Sequence, residues 1–127
     1  MTILGLGIDI VEINRIANLV LRYGDKLAKR ILCYRELQLY KKNKQPIRFL
    51  ATRFAVKEAA LKAFGTGLKK EINFKHIEVF NDKNGKPYLK IWVKSKLKTD
   101  FLVGNIHIHV SITDERNYAV ATVIIDE

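Results

Sequence analysis

The 127-residue sequence predicts an α+β fold with a helix-rich first half and an antiparallel, strand-rich second half. Three observations carry this. Helical spacing of apolar residues dominates up to Phe64, period-two alternation dominates from Phe74 onward, and the long strand-helix-strand spacings of a doubly wound sheet are scarce. No repeat, low-complexity tract or Pro/Gly/Ser-rich linker divides the chain, so it reads as one domain over residues 1–127. A chain of this length buries roughly two thirds of its unfolded surface. It needs neither a disulfide nor a structural zinc, and the lone Cys33 could supply neither.

The elements follow in order. Residues 3–10 alternate so that Leu4, Leu6, Ile8 and Ile10 share one face of a strand while Gly5, Gly7 and Asp9 share the other. Two glycines weaken a strand unless something must approach its backbone closely. A helix follows, with Ile13, Ile16, Ala17 and Val20 on one side and Gly24 as its stop. Asp25 can cap the next helix; residues 26–42 are helical with a break near Cys33 and Tyr34, and Asn43–Pro46 turn into another helix.

That helix is the most informative. From Phe49 to Phe64 only Arg53, Lys57, Glu58 and Lys62 are charged, and apolar residues surround almost the whole cylinder. At ~100° per residue Arg53 and Lys57 form one polar spot, and Glu58 and Lys62 a second about 140° away. Strands are then expected at Phe74–Phe80, Tyr88–Val93, Asn105–Thr113 and Tyr118–Ile125, with an Asn84-Gly85 turn between the first two and a short helix over 94–102.

The formal charge is +10, and residues 26–70 hold 13 Lys or Arg against Glu36 and Glu58, a balance of +11 that leaves −1 for the rest. Such a segment attracts an anion: nucleic acid, a phosphorylated small molecule or an acidic protein. A coding bias toward Lys, Ile and Asn accounts for the surface lysines equally well. The longest uncharged apolar run, Met1–Ile8, is far too short to span a bilayer and is not a signal peptide, which points to a soluble, cytoplasmic protein.

Asp9 and Glu58 are carboxylates inside apolar elements, and burying either without a partner costs several kcal/mol. The plainer readings are a helix cap for Asp9 and an i, i+4 ion pair of Glu58 with Lys62. The helix then runs into Gly65-Thr66-Gly67, whose backbone N–H groups and hydroxyl could face an oxyanion, although a glycine there is usually only a C-terminal cap. On the strand around residues 106–111, His107, His109 and Ser111 share a face. Without a third nitrogen or sulfur ligand nearby, phosphate contact or simple exposure is preferred to zinc. Two carboxylates completed by phosphate oxygens and water suit magnesium. No Gly-x-Ser-x-Gly elbow supports a Ser-His-Asp hydrolase.

Five segments in order, G-x-G-x-D-I-V-E-I at Gly5–Ile13, R-F-A-x-K-E-A at Arg53–Ala59, K-A-x-G-T-G at Lys62–Gly67, N-G-K-P at Asn84–Pro87 and Y-A-x-A-x-V-I at Tyr118–Ile124, resemble the holo-acyl-carrier-protein synthases, the short single-domain 4′-phosphopantetheinyl transferases. The resemblance spans nearly the whole chain. It implies a 4′-phosphopantetheinyl-transferase-like domain that moves the 4′-phosphopantetheine arm of coenzyme A onto a serine of apo acyl carrier protein, releases adenosine 3′,5′-bisphosphate, requires Mg2+ and serves fatty acid biosynthesis. By match to the motifs it makes Asp9 and Glu58 the metal ligands and puts Lys62 on the pyrophosphate. It also sets Gly65 and Thr66 along the coenzyme path and His109 on a phosphate. It leaves open whether Glu58 or a metal-bound water takes the serine proton, and Glu58, directly or through water, is the expected base. It further implies a homotrimer with sites at subunit interfaces, and carrier contacts through Arg15 and Arg22. Where some members carry S-x-x-H-T, this chain has Ser111-Ile112-Thr113-Asp114, and Asp114 receives no role.

Two other classes compete. A nucleic-acid-binding module accounts for the pI of about 9.8 and for Tyr34, Tyr40 and Phe49 among the basic residues, but no known motif fits, and Asp9 and Glu58 would repel phosphate unless a cation intervened. A structural subunit with its charges in ordinary ion pairs would show no metal dependence. The expectation is no nucleic acid and no membrane partner.

Overall fold

A computed structural model of the chain describes residues 2–65, 72–92 and 106–127. The elements are β1 (Ile3–Glu12), α1 (Ile13–Tyr23), α2 (Asp25–Ile31), α3 (Tyr34–Lys42), α4 (Pro46–Phe64), a 3-10 turn (Phe74–His76), β2 (Ile77–Asn81), β3 (Pro87–Ile91), β4 (His107–Asp114) and β5 (Tyr118–Asp126). The α+β class holds, with its helices first and its antiparallel strands mostly after them. Thr66 and the helix expected over 94–102 lie outside the described residues, as do Val93 and Asn105 at two expected strand ends.

Local chemistry explains the boundaries. Gly24 stops α1 at φ +61°, donating its N–H to the Val20 carbonyl at 2.7 Å. Asp25 is the first residue of α2 rather than its cap; Gly24 is the cap and leaves Asp25 in the first turn, where a carboxylate suits the helix dipole. The break at Cys33 is real, because Glu36 reaches back to accept the Cys33 N–H at 2.9 Å and starts α3 afresh. Phe74 begins a 3-10 turn capped by Asn73, so β2 starts three residues later than expected. Gly85 closes the β2–β3 hairpin at φ +87°.

The main sheet has the order β1-β5-β4, antiparallel throughout. Helix α4 lies across one face of it, and the strand glycines explain how. A Cβ on Gly7 would collide with the Ala59 carbonyl oxygen, and one on Gly5 with that of Ala63. The two glycines therefore admit the helix backbone against the strand, and the fully buried Ala55, Ala59, Ala60, Val123 and Ile125 close the contact.

This turns the alternation of β1 the other way round from an ordinary surface strand. The face bearing Gly5, Gly7 and Asp9 is the covered one, while Leu6, Ile8 and Ile10 are 63%, 58% and 63% exposed in the single chain. The register carries the same two faces across the sheet. Asp9 pairs with Ala121 on the helix side, and His109 pairs with Ile124 on the open side.

Beneath α4 a buried polar strut fixes the helix. Lys57, with no exposed surface, donates to Glu36 Oε1, to the Ile31 carbonyl at 2.7 Å and to the Phe74 carbonyl at 3.0 Å. Those three acceptors use all three ammonium protons. Burial pulls this ammonium's pKa down, and Glu36 beside it opposes the shift. Glu36 also accepts the Val79 N–H at 2.9 Å, so one pair ties α4 to the end of α2, the start of α3 and strand β2.

Candidate active site

The spacing of contacts along β1 and α4 builds the site. Gly5 meets Ala63 and Gly7 meets Ala59, so strand and helix run in opposite directions, two strand residues to one helical turn. The same progression sets Asp9 level with the turn that holds residues 55–58. Glu58 leaves that turn half-buried, and among the described residues it has no hydrogen-bond or ion-pair partner.

Lys62 does not pair with Glu58. Its Nζ crosses to β1, donating to Asp9 Oδ1 at 3.2 Å and to the Ile8 carbonyl at 2.9 Å. Both plainer readings of the carboxylates therefore fall. Asp9 caps no helix, since the residue before α1 is Glu12, and the i, i+4 spacing of Glu58 and Lys62 yields no ion pair. Asp9 is 16% exposed at its side chain and Lys62 48%, so the pair stands at the mouth of the site.

The donor set fits a hard divalent cation. Asp9 on β1 and Glu58 on α4 offer oxygen alone, and among the described residues Glu58 has no partner. Among the described residues no group of three metal-binding side chains exists, so the rest of such an ion's shell would come from ligand oxygens and water. Lys62 adds a positive charge beside Asp9, which suits a phosphate group.

The other expected residues fall in three places. Gly65 ends α4 at φ +84°, donating its N–H to the Leu61 carbonyl at 3.1 Å. Arg15 and Arg22 are seven residues apart on α1, two turns along one face, and both are exposed; the Arg22 guanidinium lies 5.5 Å from the Tyr23 ring centre. His109 sits on the open face of the sheet, across from the helix side that carries Asp9, Glu58 and Lys62, and one chain does not bring it to them.

Three features escaped the sequence. Asp114 is the acceptor of Arg48 at 2.8 Å, and the same guanidinium donates to the Glu115 and Arg116 carbonyls at 2.6 and 3.2 Å, clamping the β4–β5 turn to α4. Lys44, Arg48, Phe49, Thr52 and Arg53 line a cleft of about 320 Å³, in which the buried Arg53 Nε has no hydrogen-bond partner and the guanidinium lies 4.2 Å from the Phe49 ring centre. Such a cleft favours an anion. Asp126 lies under His109, a contact that depends on strand register and that spacing alone could not give.

Comparison with known proteins shows the family. A family model described as the 4′-phosphopantetheinyl transferase superfamily matches residues 5–123. A holo-[acyl-carrier-protein] synthase of Escherichia coli is 54% identical over 126 residues, covering 99% of both chains. Among solved structures, the holo-[acyl-carrier-protein] synthase of Neisseria meningitidis superposes with a TM-score of 0.88 at 34% identity over 99% of this chain and 100% of its own. The synthase of Bacillus anthracis, solved in complex with CoA (3′,5′-ADP), gives 0.80 at 39% identity over 98% of this chain and 97% of its own. No helix among the described residues is long and apolar enough to cross a membrane.

Proposed function

The chain belongs to the 4′-phosphopantetheinyl transferase superfamily, and from that premise we propose that it transfers the 4′-phosphopantetheine arm of coenzyme A to a serine hydroxyl of apo acyl carrier protein, with Mg2+. The observation that carries the reading is the half-buried Glu58 on α4, which has no partner among the described residues, while Lys62 turns to Asp9. A half-buried carboxylate in an apolar helix is a place where a cation from outside the chain can bind.

Asp9 and Glu58 would hold the ion. When bound, it draws charge from the pyrophosphate and offsets the charge of the departing adenosine 3′,5′-bisphosphate. Lys62 steadies Asp9 in the bare protein and turns its ammonium to the pyrophosphate when substrate arrives. Gly65 lines the path of the arm. The serine oxygen attacks the β-phosphorus, a new P–O bond forms to the carrier, and the P–O bond to the bisphosphate breaks. Glu58 takes the serine proton, directly or through one water.

His109 belongs to the same chemistry through a second copy of the chain. Its place on the open face, together with the exposed Leu6, Ile8 and Ile10 there, supports a homotrimer with each site shared between neighbours. Arg15 and Arg22 suit docking of the acidic carrier. On this reading the enzyme works in the cytoplasm and primes the carrier for fatty acid biosynthesis.

The test weighs apo acyl carrier protein after incubation with the protein and coenzyme A, with magnesium or with excess chelator. The expected result is a gain of one phosphopantetheine arm with magnesium only. No gain with magnesium overturns the transferase; a gain that survives the chelator overturns the role of the ion.

A further inference from the structure

Of the two carboxylates of the site, only Asp9 already has a cation on it. Among the described residues the one hydrogen-bond or ion-pair partner of its side chain is Lys62, whose Nζ lies 3.2 Å from Oδ1 and also donates to the Ile8 carbonyl at 2.9 Å. The lysine stands where a divalent ion would ligate Asp9. Its hold is loose, because the side chain is 48% exposed, carries a point charge on a flexible stem and keeps one ammonium proton for water. Lys57 on the same helix is the contrast, wholly buried with all three protons in use. Lys62 can be displaced, and Lys57 cannot.

The charges make that displacement conditional. In the bare protein Asp9, Glu58 and Lys62 carry two negative charges against one positive, so an arriving anion meets a surplus of its own sign. A divalent ion held by the two acids neutralises both, repels the ammonium from Asp9 and leaves it in surplus. The freed ammonium then needs an acceptor, which phosphate oxygens supply through charge-assisted hydrogen bonds. Each event favours the other. An ion at Asp9 releases Lys62 to the anion, an anion that captures Lys62 bares Asp9 for the ion, and linkage makes the two effects equal in size.

We propose that Lys62 is an interlock: it occupies Asp9 in the bare protein, leaves when a divalent ion and a phosphate-bearing ligand bind, and so makes the binding of the two cooperative. That the ligand is the pyrophosphate of coenzyme A rests on the transferase reading above.

The test measures calorimetric binding of Mg2+ without coenzyme A and at saturating coenzyme A, in the wild type and in Lys62→Met, which keeps the apolar stem. Without coenzyme A the variant binds Mg2+ about fivefold tighter than the wild type, since no half-exposed ion pair has to break first. The factor by which coenzyme A tightens Mg2+ shrinks in the variant by about the same amount, leaving only direct contact between ion and ligand. Loss of a nearby positive charge would also tighten the ion, so the ammonium itself is followed in nitrogen spectra. On addition of Mg2+ to the wild type, the Lys62 signal moves to the position it has in Asp9→Ala without the ion. Mg2+ binding that is no tighter in Lys62→Met, an unchanged coupling factor, or a Lys62 signal indifferent to Mg2+ overturns the interlock. So does the absence of Mg2+ binding in both proteins. A wild type that transfers the arm while any of these holds refutes the interlock alone. The full pattern in a protein that transfers nothing refutes the transferase alone.

Discussion

Lys57 and Glu58 are neighbours in the chain and opposites in the fold. Lys57 is wholly buried and every proton of its ammonium has an acceptor, whereas Glu58 is half-buried and has no partner among the described residues. Both are charges on a helix that is apolar almost all round. The difference separates a charge that the fold consumes from one that it reserves. A satisfied buried pair is structural cement. An unsatisfied carboxylate, one turn along α4 from a lysine that holds a second carboxylate on β1, is an opening for something from outside.

The largest effect comes from removing the reserved charge. Glu58→Gln, and separately Asp9→Asn, are expected to cut phosphopantetheinyl transfer by at least about 10³-fold, the scale of losing electrostatic stabilisation in an active site, while the melting temperature stays near that of the wild type. Initial rates and thermal melts on the same preparations check this. A near-wild-type rate in either variant would break the comparison, since Glu58 would then be merely unpaired.

The next effect tests the consumed charge. Lys57→Met leaves Glu36 as a buried carboxylate without its cation, and truncating one partner of such a pair costs about 3–5 kcal/mol. Urea denaturation measures it. Adding Glu36→Leu should not restore stability, because the Cys33 and Val79 N–H groups then lose their acceptor inside the protein. Full recovery in the double variant would show that Glu36 serves only Lys57.

Much of this was legible before the fold. The break at Cys33 and the glycine pair on β1 follow from spacing and composition, because each is a local rule of helix or strand. What escaped was whatever depends on which elements meet. Spacing offered Lys62 to Glu58, but the approach of β1 allowed by Gly5 and Gly7 brings Asp9 to Lys62 instead. Asp126 under two histidines and Asp114 under Arg48 are cross-element contacts, set by strand register and by the docking of α4, and no local pattern encodes them.

Freedom from a partner is informative only where water cannot supply one, and Arg15 sharpens that point. It is exposed on α1 and unpaired among the described residues, which is ordinary for a surface arginine. Its proposed work is docking the acidic carrier, so Arg15→Glu should raise the KM for acyl carrier protein about tenfold at low salt, and the difference should shrink as ionic strength rises. Steady-state kinetics at two salt concentrations decide it. A fall in kcat with no change in that KM would move Arg15 from docking to chemistry.

The smallest effect belongs to a charge pair that is neither reserved nor buried. Arg48 and Asp114 are complementary at 2.8 Å, but their side chains are 31% and 36% exposed, so solvent screens the pair and its Coulomb contribution is below about 1 kcal/mol. Arg48 also donates to two carbonyls of the β4–β5 turn, and those bonds survive the loss of the acid. Asp114→Asn should therefore lower stability only slightly, while Arg48→Ala, which removes all three bonds, should lower it more. Urea midpoints of the two variants measure the ordering. The reverse ordering would mean that the acid organises the turn, and that exposed ion pairs here belong with the Lys57 strut rather than at the far end of the scale from it.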